Sequence, residues 1–175
     1  TLPLPTNDYA VSKLAMEYLA KLYKTTLPIT IARPFNYTGK GQADNFLLPK
    51  IVKHVQQKKP YIELGNLNVA RDFSDVRTVV QIYKQLLEMP DAIGEIFNVC
   101  SGYSHTLNEV LTMAQEVSGH TFEVRINPAF IRANEVKVLQ GNRSKLEKCI
   151  GSINDISLKD TLNWMLKPDY GRNFP

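Results

Sequence analysis

Ile29-Thr30-Ile31-Ala32-Arg33-Pro34-Phe35-Asn36 decides the fold. Its β-branched start reads as a buried parallel strand over 29–33. A helical pattern runs from Asp8 to Tyr23 and leads into that strand through Leu27-Pro28, and a glycine-rich loop, Gly39-Lys40-Gly41-Gln42, follows it. Helix, parallel strand and loop at the strand's carboxyl end is where open α/β sheets bind ligands. The fold class is therefore α/β, in the manner of a doubly wound parallel sheet.

The helix carries Asn7-Asp8-Tyr9-Ala10-Val11-Ser12-Lys13, which sets Tyr9 and Lys13 four apart on one face. An ammonium beside a phenol favours the phenolate, so the pair is an acid/base device. A free phenol, with a pKa of about 10, delivers protons poorly at neutral pH without such help. The spacing alone also fits an amphipathic, solvated helix edge.

Farther along, the pattern predicts a helix over 45–57, a strand over 61–64 and a polar turn into Arg71. Val76, Val79, Val80, Tyr83 and Leu87 recur at helical spacing over 75–88, with Pro90 beyond the end. Residues 95–99 read as a strand. Thr106 and Glu109 have capping-box spacing for a helix that Gly119 stops. A strand over 122–126, a loop through Pro128 and Arg132, and short helices from Ser144 and Ser157 complete the chain.

Together these features resemble the extended short-chain dehydrogenase/reductases that act on nucleotide sugars, the NAD-dependent epimerase/dehydratase family. The resemblance rests on Tyr9 and Lys13, on Arg33-Pro34-Phe35-Asn36, and on Gly65-Asn66-Leu67-Asn68-Val69-Ala70-Arg71-Asp72-Phe73. It extends to Phe97-Asn98-Val99-Cys100-Ser101-Gly102, Arg132-Ala133-Asn134-Glu135-Val136 and Ser157-Leu158-Lys159-Asp160-Thr161-Leu162. It implies a catalytic pair, Tyr9 and Lys13, that with Pro34 also meets NAD or NADP. It implies substrate contacts at Asn36, Asn45, Phe46, Lys50, Arg71, Arg132 and Glu135: arginines on a diphosphate, Glu135 on ribose hydroxyls, Asn45-Phe46 toward the base. Ala133 stands where the family motif has proline. The Gly65–Phe73 segment resembles enzymes acting on GDP-mannose derivatives more than those acting on UDP- or dTDP-sugars, and Arg33-Pro34-Phe35-Asn36 followed by Thr38-Gly39-x-Gly41-Gln42 leans toward GDP-4-dehydro-6-deoxy-mannose reductases, with GDP-mannose 4,6-dehydratases second.

The glycine-rich dinucleotide turn of a cofactor-binding half is missing from the sequence. The resemblance therefore implies the C-terminal portion of a longer protein. Residues 1–40 would be a remnant of the dinucleotide-binding domain, and 41–175 mainly a substrate-binding domain, with segments near 75–102 returning to the Rossmann-type sheet. The helix bearing Tyr9 has an apolar face at Leu14, Tyr18 and Leu22, with Ala15 and Leu19 alongside. That face is expected to be left open, or used in a homodimer.

The residues leave other readings in place. Arg71 also fits a surface pair with Asp72 or Asp75, Arg132 and Glu135 an ordinary ion pair, Asn45 a plain helix N-cap, and Lys50 a solvent-facing lysine. Phe35, Tyr37, Val99 and Trp164 are assigned to packing. A hydrophobic content of 43% with 22% charged residues is that of a globular domain, and no apolar run reaches membrane-span length. A net charge of +4 without a basic stripe or interleaved aromatics suits a diphosphate site better than nucleic acid. Cys100 and Cys149 lack metal-ligand spacing and fit reduced thiols of the cytoplasm, and the scattered His54, His105 and His120 predict no metal. Reductase, dehydratase and epimerase use the same Tyr and Lys. A noncatalytic nucleotide-sugar binding module is the alternative of another class.

Overall fold

The first helix, α1 (Asp8–Leu22), opens where the Asn7 side chain accepts the Ala10 N–H at 2.8 Å, with Asp8 in its first turn. The computed structural model describes residues 3–131 and 135–168. The chain then enters β1 (Ile31–Pro34), whose parallel partner is β5 (Ile96–Val99), with Ile31 opposite Ile96 and Pro34 opposite Val99. Asn36–Thr38 forms β2 directly afterwards.

The polar turn predicted into Arg71 gives way to a strand, β4 (Ala70–Asp75), which the sequence hid by putting polar residues on the buried face. Asp72, Ser74 and Asp75 are buried, while Arg71 and Phe73 face a cleft. Three short strands that the sequence did not announce assemble around it. Its second half pairs in parallel with β2; its first half pairs antiparallel with β6 (Ser104–Thr106) and parallel with β8 (Val138–Leu139). A separate parallel pair joins β3 (Tyr61–Leu64) to β7 (Glu123–Ile126).

Two apolar cores organise the helices. Val79, Ile82 and Leu86 of α3 (Val76–Glu88) pack with Phe97 and Val99 of β5 and Leu146 of α5 (Ser144–Ile150). The larger core joins α2 (Leu47–Gln56), α4 (Leu107–Ser118) and α6 (Leu158–Leu166), with Ile51, Val110 and Leu162 fully or almost fully buried against β3. The capping box of Thr106 and Glu109 forms, and Gly119 closes α4 in a left-handed conformation (φ +65°) that suits glycine. Helix α2 corrects the expectation for Asn45. Its N-cap is Phe46, without a side-chain bond, so Asn45 lies one residue outside the helix rather than capping it.

Among the described residues no helix is long and apolar enough to cross a membrane.

Candidate active site

A cleft of about 1370 Å³ runs between the α1–β1 region and the ends of α2, β3 and β4. Tyr9, Lys13, Pro34, Asn36, Asn45, Phe46, Lys50, Arg71 and Glu135 all line it. These are all the predicted site residues except Arg132, which lies outside the described residues.

At one part of the wall the Lys13 ammonium stands 5.4 Å from the centre of the exposed Tyr9 ring. Helical geometry alone brings them together, one turn apart. The next turn supplies Glu17, whose carboxylate takes both arms of the Arg33 guanidinium at 2.7 and 2.5 Å. That bond holds the Glu17 carboxyl below the usual carboxylate range and raises the guanidinium of Arg33. It ties α1 to the end of β1, so the two pieces of the predicted site are joined by a bidentate clamp. Glu17 escaped the sequence reading; its signal was its place one turn beyond Lys13 on the same face.

Arg71 reaches into the cleft from β4. It donates to the Val136 carbonyl at 2.7 Å and the Ala70 carbonyl at 2.9 Å, and meets Glu135 at 3.2 Å, the two side chains 19% and 20% exposed. Its carboxylate partner is thus neither Asp72 nor Asp75. Asp72 sits on the other face of the strand, and Asp75 caps α3 and binds Arg77 and the Thr161 hydroxyl. Asn36 donates to the Asp72 backbone carbonyl at 3.3 Å.

Lys50 donates to the Glu63 carbonyl at 3.1 Å, with its ammonium 4.6 Å from the centre of the Phe130 ring, so it is not a free surface lysine. The backbone of Phe130 comes so close to Gly65 that a Cβ there would stand 2.3 Å from the Phe130 carbonyl oxygen. Glycine is required at that crossing, and it seats Phe130 on the cleft wall, a role its sequence neighbourhood did not reveal. Tyr37, assigned to packing, is 44% exposed and lines the cleft, because the three-residue β2 has no cover on that side. Phe35 and Trp164 are half-buried and Val99 is buried.

Other reactive groups stand apart from this chemistry. Burial, with the Asp72 carboxylate nearby, pushes the Cys100 thiol up to about 11, so it stays protonated and unreactive at neutral pH. Both cysteines are free. His54 is buried against Phe122, its Nε2 lacks a hydrogen-bond partner among the described residues, and burial lowers its pKa.

The cleft therefore offers a phenol with an ammonium on one part of its wall, and a guanidinium, an amide and a second ammonium elsewhere. Such a set can move one proton and hold phosphate oxygens. The phenol and ammonium also fit the ribose hydroxyls of a dinucleotide, since both are exposed to the cleft and can donate.

The model of the GDP-mannose 4,6 dehydratase family matches residues 1–165. The GDP-6-deoxy-D-mannose reductase of Pseudomonas aeruginosa is 33% identical over 94% of the chain and 56% of its own length. A solved structure from Burkholderia cenocepacia J2315, provisionally described as an epimerase, superposes with a TM-score of 0.91 at 55% identity, covering 94% of this chain and 54% of that one. The structure of RMD from Pseudomonas aeruginosa complexed with NADPH gives 0.87 at 31% identity, covering 94% and 57%. The chain spans about half the length of the curated relatives it matches.

Proposed function

The chain belongs to the GDP-mannose 4,6 dehydratase family, and from that premise we propose that it is the substrate-binding part of an NAD(P)-dependent oxidoreductase acting on a GDP-linked deoxyhexose. Within that class the reading settles on a GDP-4-dehydro-6-deoxy-mannose reductase, in keeping with the reductase relative. Residues 1–40, with segments near 75–102, belong to the cofactor side, and the rest of 41–175 mainly to the sugar-nucleotide side.

The observation that carries the reading is that Tyr9 and Lys13 line the same cleft as Arg71 and Glu135. Arg71, Lys50 and Asn36 hold the diphosphate, and Arg132 is assigned there from its motif. Asn45 and the exposed Phe46 face the base, and Glu135 accepts from ribose hydroxyls. Tyr9 gives its proton to the oxygen at sugar C4, and Lys13 stabilises the charge left behind while donating to the ribose of the dinucleotide. Tyr9, Lys13 and Pro34 would hold the dinucleotide, which when bound would supply the hydride to sugar C4. The exposed apolar face of α1 is assigned to a second copy in a homodimer, and the free thiols to the cytoplasm.

The family model favours one second reading, a 4,6-dehydratase, in which Tyr9 first accepts the C4 hydroxyl proton. The test is an assay of the protein that carries this chain. A reductase oxidises NAD(P)H only when a GDP-4-keto-6-deoxyhexose is added; a dehydratase converts GDP-mannose with no net change in the dinucleotide. Binding of GDP-sugars without either reaction would leave a noncatalytic binding module.

A further inference from the structure

The strand β4 alternates strictly around the cleft: Arg71 and Phe73 face it, while the side chain of Asp72 points the other way and is wholly buried. A buried carboxylate is costly unless its oxygens are satisfied. Asp72 has four donors from two other segments. Its Oδ1 accepts the Ser101 N–H at 2.8 Å and the Ser101 hydroxyl at 2.7 Å; its Oδ2 accepts the Gly102 N–H at 3.0 Å and the Gly141 N–H at 3.2 Å.

The Gly141 bond matters for function. Gly141 ends the segment that starts at Glu135, runs through β8 beside Ala70 and Arg71, and is pinned once more by the Ala70 N–H on the Lys137 carbonyl. Glu135 and the Val136 carbonyl are the groups that aim Arg71. Gln140 adds a bond to the Gly102 carbonyl, so the 101–104 loop and the 138–141 segment are fastened to one another behind the strand. The space around Gly141 is full: a Cβ there would stand 2.4 Å from the Cys100 sulfur. The segment thus has one seat, and the Asp72 carboxylate lies at the centre of it.

We propose that Asp72 is a positioning residue for nucleotide binding: from the far face of β4 it seats residues 135–141 so that Glu135 and Arg71 meet the nucleotide together. The inference rests on the proposed function, which supplies the nucleotide. Asp72 itself touches no substrate.

The experiment measures GDP and dinucleotide binding by calorimetry on the protein that carries this chain. Asp72→Asn keeps the shape but sets an amide N–H₂ against at least one of the backbone N–H groups that the carboxylate accepts. The dissociation constant for GDP is expected to rise about tenfold, in line with loss of hydrogen bonds to a charged group, with dinucleotide affinity unchanged. Added to Glu135→Ala, the Asn change is expected to weaken GDP binding no further than the worse single variant, because Asp72 acts only by seating the Glu135 segment and the Arg71 that it aims. Additive losses, equal loss of dinucleotide affinity, or unchanged GDP binding would each overturn the inference. If Asp72→Asn does not fold, Ser101→Ala removes one of the four bonds to Asp72, together with the hydroxyl's bonds to the Tyr103 backbone, and leaves the carboxylate in place; it is expected to weaken GDP binding about twofold to threefold, and no change would overturn the inference. Wild-type protein that fails to bind GDP overturns the proposed function itself, a result distinct from all of these.

Discussion

Helices α1 and α2 line the same cleft but are held in different ways. None of the 15 residues of α1 is buried, and Tyr18, Leu19 and Leu22 lie exposed along it. Of the 10 residues of α2, Leu48, Pro49, Ile51, Val52, His54 and Val55 are all buried. The first helix is held by the half-buried stripe of Ala10, Leu14 and Ala20 and by the Glu17–Arg33 clamp, the second by a core. The groups proposed for proton transfer thus sit on the more loosely held of the two helices, and Lys50, one of the proposed binding groups, on the more firmly held one.

Kinetics should break that comparison with the largest effect. In the protein that carries this chain, Tyr9→Phe is expected to lower kcat by about 10²-fold or more while leaving the KM for the GDP-sugar nearly unchanged, since a lost proton donor acts on the chemical step. Steady-state assays check it. A change confined to KM would place Tyr9 with the binding groups instead.

Stability should show the reverse order of importance. Ile51→Ala in α2 removes a fully buried side chain and is expected to cost about 2–5 kcal/mol in denaturant titration. Leu19→Ala on the open face of α1 is expected to change stability by less than about 0.5 kcal/mol in this chain alone. Comparable losses from the two would mean that the open face of α1 is packed after all.

Much of this division was legible in the sequence, and the reasons are particular. Helices with strong apolar periodicity or clear caps, such as α3 and α4, fell within about two residues of their expected bounds. Tyr9 and Lys13, singled out by their spacing, and Asn36 and Arg71, singled out by the family resemblance, all line the cleft. What stayed hidden were interactions between distant segments. Asp72 and Asp75 broke the rule that buried strand faces are apolar, because donors from Ser101, Gly141, Arg77 and Thr161 satisfy them. Phe130, the open side of Tyr37 and the Arg33 partner of Glu17 depend on which segments meet, which no local pattern encodes.

Acid should separate the two helices by the smallest effect. His54 has a folded pKa lowered from 6.5 by burial, so its contribution is fully present above that value and is lost as pH falls through the folded one. Glu17 has a folded pKa lowered from 4.5 by Arg33, so its contribution is present above 4.5 and fades only below it. Hydrogen exchange between pH 7 and 3 is expected to show the core around α2 weakening first and the α1 clamp afterwards. Replacing His54 by Leu should flatten the first phase. Opening of α1 before α2 would contradict the assignment of these two groups.

The most direct test of the central claim is a structure of the protein that carries this chain, bound to a GDP-linked 6-deoxyhexose. The account predicts diphosphate oxygens within hydrogen-bond distance of the Arg71 guanidinium and the sugar C4 oxygen within reach of the Tyr9 hydroxyl in the same cleft. A sugar lying away from Tyr9, or a diphosphate bound elsewhere while Arg71 stays on Glu135, would contradict it.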